Sequence, residues 1–375
     1  MEAAAAEAAI GAFAGAEAAR GYRSFRERAG RIHAALDAPF LSVQRPGALA
    51  FATQAGLRGL LGTSPFTPLW TALGEHFRDV RLRQGFGRVA GYVGASPLQA
   101  PATLMLVAHV EMQGAWRVEG GLPRLAEALG TLAAARGAVF RYGAEVREIA
   151  VTGGRASGVR LANGEMIAAS SVLCNAEPAA IGAGLFGRAA ARAVDPLAPE
   201  RRSFSAITWA LPRRVEGVAA QTVLHAEDPT AEYVDIAYRA RLPMQPSITL
   251  WAEEDTTLVM THAPARADLR PIADEAISAF GEAVFARLAA TGIVLDRAAA
   301  RVTTPRDFAI WFPGSGGALY GAAPHGWQAA FNRPAARTRL PGLVLAGGGT
   351  HPGAGVAMAA ISGRLAAERI IEDRG

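Results

Sequence analysis

The chain has 375 residues, of which 51% are hydrophobic, and a formal net charge of +5 at pH 7. It contains no lysine, so arginine supplies all of its positive charge, scattered in ones and twos near acidic residues. Nucleic-acid binding requires a concentrated basic patch or stripe, so we expect no nucleic-acid partner. A chain of this length can bury a large core and usually holds two or three domains.

The cysteine count, the first residues and the histidine spacing indicate the cellular compartment and argue against a metal site. A single cysteine, Cys174, excludes an internal disulfide and a cysteine-based zinc site, as expected in a reducing cytoplasm. The first twenty residues carry glutamates where a secretory signal needs positive charge, so secretion is not expected. The seven histidines never fall in H-x-x-x-H or H-x-H spacing, and we predict no metal site.

The N-terminal part is predicted to be helical. Apolar residues from Ile10 to Leu36 fall largely at helical spacing, which indicates one or two helices over residues 2–36, interrupted near Gly21. From Pro46 to Pro101 the sequence is rich in glycine, proline, phenylalanine and leucine, and short helices with apolar faces are expected. These faces belong either to ordinary core or to a surface that meets lipid or lines a long apolar channel.

Alternating elements follow. EGGLPRLAEALGTLAAARGA indicates a glycine-opened helix with four leucines on one face. VFRYGAEVREIAV, GVRLA and EMIAASSVLC predict short strands, with hairpin turns at GGRAS and Asn163-Gly164. SFSAITWAL, SITLWAE and TLVMTHA predict a separate sheet, and a helix at about residues 271–290 is expected to cover it.

A glycine-rich turn near the C-terminus carries the clearest functional signal, in the stretch GLVLAGGGTHPGAGVAMAAISGRLAAERI. A short buried strand at residues 343–346 is followed by Gly347, Gly348 and Gly349, where a ligand can approach the backbone closely. A helix then begins at Val356, and its free N–H groups and dipole favour an anionic or electron-rich group. We therefore predict a cofactor cradle, although tight strand-to-helix turns also occur without ligands.

The usual dinucleotide fingerprint is absent. A G-x-G-x-x-G motif would need glycine in place of Met358 after Gly353, and in place of Leu319 after Gly314. A Walker A motif is equally absent, since there is no lysine to complete it.

The terminal stretch resembles the C-terminal signature of the FAD-dependent phytoene desaturase family, within the flavin amine oxidase superfamily. FPGSGGALYGAAPHGWQAAFNRPAARTRLPGL and the region from FRDVRLRQGFGR to VEGGLPRLAEAL are similar to its hydroxyneurosporene desaturase subgroup, and the match runs from about residue 10 to the end. The resemblance implies an α/β fold in which an incomplete FAD-binding, Rossmann-like domain interleaves with a substrate domain of mixed or antiparallel sheet plus helices. Since the G-x-G-x-x-G unit is missing, we expect an N-terminally truncated member.

The resemblance also implies a division into four segments. Residues 1–115 would form the helical, apolar part of the substrate domain, and residues 116–185 the second part of the FAD-binding domain. Residues 186–335 would hold the substrate-domain sheet and helix, and residues 336–375 the C-terminal FAD-binding strand, turn and helix.

FAD is the implied cofactor. The resemblance implies that Gly347 and Gly348 lie along its ribityl phosphate, and that the flavin ring lies near Gly355, Val356, Ala357 and Met358. It also implies that Val146 lies near the adenine and that Asn175 lies beneath the cofactor. His109, Glu111 and Trp116 are implied to lie near the substrate channel. For Glu111 a solvated or ion-paired carboxylate is the alternative, and His351 is expected either near the flavin or in a structural role.

The implied reaction is the desaturation of a carotenoid, of the 1-hydroxycarotenoid 3,4-desaturase type, in carotenoid biosynthesis, with the flavin accepting a hydride. No catalytic base is predicted. Carotenoids are insoluble in water, so we expect a cytoplasmic protein in peripheral contact with the inner membrane, with residues 48–73 as its access surface. The alternatives are a polyene isomerase or an amine oxidase of the same fold, and a non-catalytic lipid- or carotenoid-binding remnant.

Overall fold

The computed structural model describes residues 3–44, 62–326, 329 and 331–374. Its α-helices are α1 (Ala3–Leu36), α2 (Leu69–Gly74), α3 (Val80–Gly87), α4 (Met105–Gln113), α5 (Leu122–Ala135), α6 (Pro178–Gly182), α7 (Arg188–Ala191), α8 (Ala231–Tyr233), α9 (Asp274–Ala290), α10 (Pro305–Trp311) and α11 (Val356–Glu372). Its strands are β1 (Val146–Thr152), β2 (Arg155–Leu161), β3 (Met166–Ala168), β4 (Val172–Cys174), β5 (Ser205–Leu211), β6 (Gln221–Leu224), β7 (Ile248–Ala252), β8 (Thr257–Ala263), β9 (Arg301–Thr303) and β10 (Leu343–Leu345).

The N-terminal helices form an aromatic core. Phe25 of α1 lies 4.8 Å from Phe86 of α3 between ring centroids, and Phe86 stacks on Phe77 at 4.9 Å. A short 3-10 segment, Arg88–Val93, follows α3 and leads toward α4, which packs along α1. This helical layer forms one wall of the cavity described below.

The predicted interruption of α1 at Gly21 is wrong. The helix breaks at Gly15, which has φ 90° and ψ 171°, a conformation that only glycine adopts without strain. Gly21 stays helical and serves a different purpose, because its missing side chain lets the carbonyl of His76 approach the helix.

The predicted separate sheet is confirmed. Five antiparallel strands lie in the order β6-β7-β8-β5-β9, and β6 and β9 are additions to the expected three. Because strand side chains alternate between faces, one face buries apolar residues such as Trp209 and Leu250 against α9, where Phe280 and Val284 meet them. The opposite face, which carries Trp251, Met260 and His262, turns toward the segment Arg88–Val93.

A parallel strand pair links distant parts of the chain. Strand β10 pairs with β4 in the register Leu343 to Val172 and Leu345 to Cys174, next to an antiparallel meander of β1, β2 and β3. The carboxyl ends of the two strands therefore lie side by side, and so do the segments that follow them. The expected combination of an α/β part and an antiparallel sheet with helices is confirmed.

The four leucines of α5 do share one face, and that face is exposed: Leu122, Leu125, Leu129 and Leu132 each keep more than a third of their surface accessible. Across the described ranges, no helix is both long and apolar enough to cross a membrane.

We predict opposite effects for two glycine substitutions in α1. A Cβ at Gly21 would overlap the His76 carbonyl, so Gly21→Ala should lower the free energy of unfolding by about 1–3 kcal/mol. Gly11→Ala is the matched control, since its Cβ would lie 3.4 Å from that of Ala19, an ordinary contact. That control should raise the free energy of unfolding by about 0.5–1 kcal/mol. Denaturant titration measures both, and equal effects would contradict this packing.

Candidate functional site

The glycine turn between β10 and α11 is fastened at its base. The backbone N–H of Gly347 donates to Ser362 Oγ of α11 at 3.0 Å, and that of Thr350 donates to the Gly347 carbonyl at 3.0 Å. Gly347 and Gly355 have φ values of 116° and 106°, a region that strongly favours glycine. The sequence therefore fixes both the start and the end of this turn.

One side of the turn packs tightly and the other is open. A Cβ at Gly349 would lie 2.8 Å from Glu177 Oε2, and one at Gly347 would lie 3.4 Å from Asn175 Nδ2. Both partners come from the segment after β4. At Gly355 a Cβ would meet no atom of the described residues within 4 Å. A ligand therefore has room at Gly355, while Glu177, Arg333 and Gly349 on the other side line a separate cavity of about 480 Å³.

The first turn of α11 faces this open side. Amides at the start of a helix have no partner within it, and Val356 in that turn is 54% exposed. Two buried side-chain atoms nearby in sequence, Thr350 Oγ1 and His351 Nδ1, have no hydrogen-bond partner among the described residues. Both are enclosed by protein, so they belong to the packing beneath the turn and not to its open side.

An apolar cavity of about 400 Å³ adjoins the same turn. We call it the channel cavity, and its walls include Leu36, Phe40, Tyr92, Leu104, Val107 and Phe331, with residues 352–358 closing one side. Phe66 also lines it and is 61% exposed, so this residue marks a mouth at the surface. The volume is in the range of sites that enclose small organic ligands.

A charged pair holds the turn from behind. Arg333 donates to the carbonyls of Gly348 at 2.6 Å, Ala322 at 2.8 Å and Tyr320 at 3.2 Å. Burial lowers the pKa of Arg333 to about 10, against an opposing effect of Glu177, so the guanidinium stays charged at neutral pH. Burial also raises the pKa of Glu177, and the charge of Arg333 limits that rise.

Sequence reasoning missed Glu177 and Arg333. One follows β4 and the other precedes β10, so only the strand pairing brings them to the same turn. Arg333 lies inside the stretch that resembles the desaturase subgroup, but neither residue stood out, because the role of each depends on segments that are distant in the sequence.

His351 connects the turn to the end of the helical layer. Its Nε2 lies 2.9 Å from the Phe40 carbonyl, to which it donates, and the two rings meet edge to face at 5.1 Å. Burial lowers the pKa of His351 to about 4, so the ring is neutral at pH 7. The structural role left open above is therefore observed.

The predicted cofactor positions are brought together in part. Gly355 and the start of α11 line the channel cavity together, Gly348 lies near Ala354, and Asn175 lies against Gly347. Val146 is the first residue of β1, in the meander. The assignment of these residues to parts of a cofactor stays a prediction.

The predicted channel residues do not line the channel cavity as the described residues form it. His109 stands 4.9 Å from the ring of His33 and 2.9 Å from Gln113 Nε2. Glu111 pairs with Arg88 at 3.2 Å, so the ion-paired alternative is the one observed. Trp116 is 85% exposed. A role of these residues in a channel stays a prediction.

These features fit a flavin better than a metal. A bare turn, an electropositive helix N-terminus and an open face suit a large, flat, electron-rich group. In the part of the chain that the structure describes, no cluster of three histidine, cysteine or acidic residues could hold a metal ion.

Comparison with known proteins agrees with this assessment. The family model for flavin-containing amine oxidoreductases matches residues 68–371. The chain is 42% identical to the hydroxyneurosporene desaturase of Rubrivivax gelatinosus, over 97% of its own length and 73% of that protein. It is 41% identical to the hydroxyneurosporene desaturase of Cereibacter sphaeroides, over 97% of its length and 76% of the relative. The chain therefore belongs to the flavin-containing amine oxidoreductase family, in the group that holds these desaturases.

A solved structure gives the same fold. An engineered putrescine oxidase superimposes with a TM-score of 0.51 at 14% identity, covering 93% of this chain and 76% of that one. At this identity the likeness concerns the fold alone. The expected membership of the flavin amine oxidase superfamily is confirmed.

We predict that protonation of His351 destabilises the fold in acid. The unfolded chain binds this proton near pH 6.5 and the folded chain only near pH 4, so stability is lost as pH falls through that window, by about 3 kcal/mol in total. His351→Gln, which keeps a donor for the Phe40 carbonyl, should flatten the dependence of the unfolding free energy on pH between 6.5 and 4. Denaturant titrations at several pH values measure it, and identical slopes for both proteins would contradict the assignment.

Proposed function

We propose that this protein desaturates a carotenoid that bears a hydroxyl group at one end, removing hydrogen from two adjacent carbons near that end, with FAD as its cofactor. The observation that carries the proposal is the position of the channel cavity, which lies directly against the open side of the glycine turn. A long polyene in the cavity would therefore pass the cofactor cradle. The desaturases to which the chain is similar support the reaction and the substrate class.

The described residues have three tasks in this reaction. The walls of the channel cavity exclude water and hold the polyene by apolar contact. The N–H groups of Val356, Ala357 and Met358 offer positive ends of dipoles to the edge of the flavin ring. Arg333 would hold the turn in place through its hydrogen bond to the Gly348 carbonyl. When bound, the flavin supplies hydride acceptance.

The chemistry of the cavity walls favours a polyene over an amine. Among the described lining residues there is no carboxylate and no histidine, and the titratable ones are Tyr92 and Arg333. A protonated amine would lose its hydration there without gaining an anionic partner, which is strongly unfavourable. A conjugated hydrocarbon requires no such partner, and positive charge that develops as hydride leaves spreads along its double bonds.

We predict that Gly355→Val abolishes both flavin retention and desaturation. At a φ of 106° a β-branched residue is strained, and its side chain would project into the open space of the cradle. Gly363→Ala in the middle of α11, where a Cβ also meets nothing among the described residues, is the matched control and should retain both. Flavin absorbance after desalting, and the red shift of the polyene spectrum under anaerobic turnover, measure the outcome. A Gly355→Val protein with full flavin content and normal turnover would place the cofactor elsewhere.

We further propose that the substrate arrives from a membrane surface to which the protein binds peripherally. The sequence-based access surface, residues 48–73, includes Leu60 and Leu61, which lie outside the described residues. Phe66, which is exposed and also lines the channel cavity, supports the position of the mouth. Burying a few hundred Å² of apolar area would contribute several kcal/mol, at roughly 25 cal/mol per Å².

We predict that Leu60→Glu with Leu61→Glu, and separately Phe66→Glu, largely remove co-sedimentation with anionic liposomes. Met244→Glu is the control, because Met244 is 82% exposed but is not among the lining residues of the channel cavity. High salt should weaken binding of the unmodified protein without abolishing it. If the unmodified, monodisperse protein stays in the supernatant at low salt, the membrane proposal fails.

A further inference from the structure

A second, smaller cavity lies beyond Tyr92. It measures about 100 Å³, and we call it the histidine pocket, lined by Arg88, His225, Trp251, Met260, His262 and Tyr320 among others. Tyr92 lines both this pocket and the channel cavity, so the two spaces adjoin. A volume this small is well below the usual size of a ligand site and suits the end of a chain that lies mostly elsewhere.

The histidine pocket is also close to the glycine turn. Tyr320, which lines it, precedes Gly321, where a Cβ would lie 3.1 Å from Gly349 Cα. Arg333 holds the Tyr320 and Gly348 carbonyls at the same time. The pocket therefore adjoins the channel cavity at Tyr92, and through Tyr320 its wall is connected to the residues that hold the glycine turn.

His262 has a hydrogen-bonding capacity that the described residues do not use. Its Nε2 lies 3.2 Å from the Gly91 carbonyl, so Nε2–H donates there and Nδ1 of the neutral ring is an acceptor. Nδ1 faces Glu232 Oε1 at 3.9 Å, too far for a direct hydrogen bond. Glu232 is 2% exposed, and its Oε1 has no hydrogen-bond partner among the described residues, while its Oε2 accepts from the Ser247 amide at 3.0 Å.

The second histidine of the pocket is held in place. Arg287 of α9 donates to the carbonyls of His225 and Pro246, which fixes this segment over the sheet. Burial lowers the pKa of His225, and the nearby Arg88 lowers it further, against a smaller opposing effect of Glu232. A neutral imidazole offers one donor and one acceptor, so the wall of the pocket presents hydrogen-bonding groups of both kinds.

We propose that the histidine pocket binds the terminal hydroxyl group of the carotenoid and thereby selects hydroxylated polyenes over unhydroxylated ones. An alcohol supplies the O–H donor that the free acceptor at His262 lacks, and its oxygen can accept from His225. The inference rests on the proposed function and adds to it the residues that recognise the end group.

The distance requirement agrees with this assignment. In a 1-hydroxy carotenoid three bonds separate the oxygen from C3, so the hydroxyl must lie within about 4 Å of the bond that becomes double. A hydroxyl site must therefore adjoin the channel cavity, as the histidine pocket does at Tyr92. Apolar residues of the same wall, Trp251 and Met260, would contact the methyl groups beside the hydroxyl.

The test compares two substrates in the flavin-loaded protein: a 1-hydroxy acyclic carotenoid and the same polyene without the hydroxyl. We expect the unmodified protein to favour the hydroxylated one in kcat/KM by at least about tenfold, since a polar site rejects an analogue that leaves its groups unpaired. His262→Phe should remove most of this preference by lowering the hydroxylated value alone, and His262→Gln should restore part of it. Leu258→Met, on the same strand but not among the lining residues of the pocket, is the matched control and should keep the preference.

Binding gives a second readout that does not depend on turnover. Quenching of tryptophan fluorescence by each polyene yields its Kd, and Trp251 in the pocket is a suitable reporter. If His262→Phe proves unable to fold or to hold flavin, His225→Leu is measured in the same way with the same expectation.

The outcomes separate this inference from the proposed function. Turnover of both polyenes with a preference that neither histidine substitution changes would overturn the pocket assignment and leave the desaturase proposal intact. If the protein turns over neither polyene but binds the hydroxylated one with a lower Kd, and this preference depends on the histidines, the desaturase proposal is overturned and the pocket assignment is supported. An equal loss on both substrates would also overturn the assignment, because it would make the histidines structural.

Discussion

The pairing of β10 with β4 is the constraint on which the rest of the site depends. These strands are short, and they lie about 170 residues apart in the chain. Their parallel register sets the glycine turn against Asn175 and Glu177, and α11 then starts at a fixed angle to the channel cavity. If this pairing shifted, the N–H groups of Val356, Ala357 and Met358 would no longer face the substrate space.

The environment around the glycine turn changes in polarity from one part to the next. On one side, the charged Arg333 donates a hydrogen bond to the Gly348 carbonyl and interacts electrostatically with Glu177. The hydrogen bond holds a loop that has almost no side chains in one conformation. In front of it, the channel cavity is apolar and suits a hydrocarbon. Beyond Tyr92 the wall becomes polar again, in the histidine pocket. A long molecule that is apolar along its chain and polar at one end matches this sequence of environments.

The sequence predicted local features well and non-local ones poorly. The strand, turn and helix from Leu343 to Glu372 follow from glycines, a buried run and helical spacing within one stretch, and the structure has them where expected. Strands β6 and β9 have four and three residues, which is too few for an alternation of apolar and polar residues to be recognised in the sequence. Glu177 and His262 matter because distant segments fold beside them, which no single stretch of sequence records. The kink at Gly15 instead of Gly21 shows the same limit, since tertiary packing decides which glycine bends.

The central claim is that a flavin lies in the glycine turn with a polyene beside it in the channel cavity. A crystal structure of the protein with flavin and a hydroxylated carotenoid bound tests this directly. The account predicts the flavin ring within hydrogen-bond distance of the α11 amides, the polyene along Phe40, Val107 and Phe331, and its hydroxyl near His262. A flavin bound away from Gly355, or a polyene held outside the channel cavity, would contradict it.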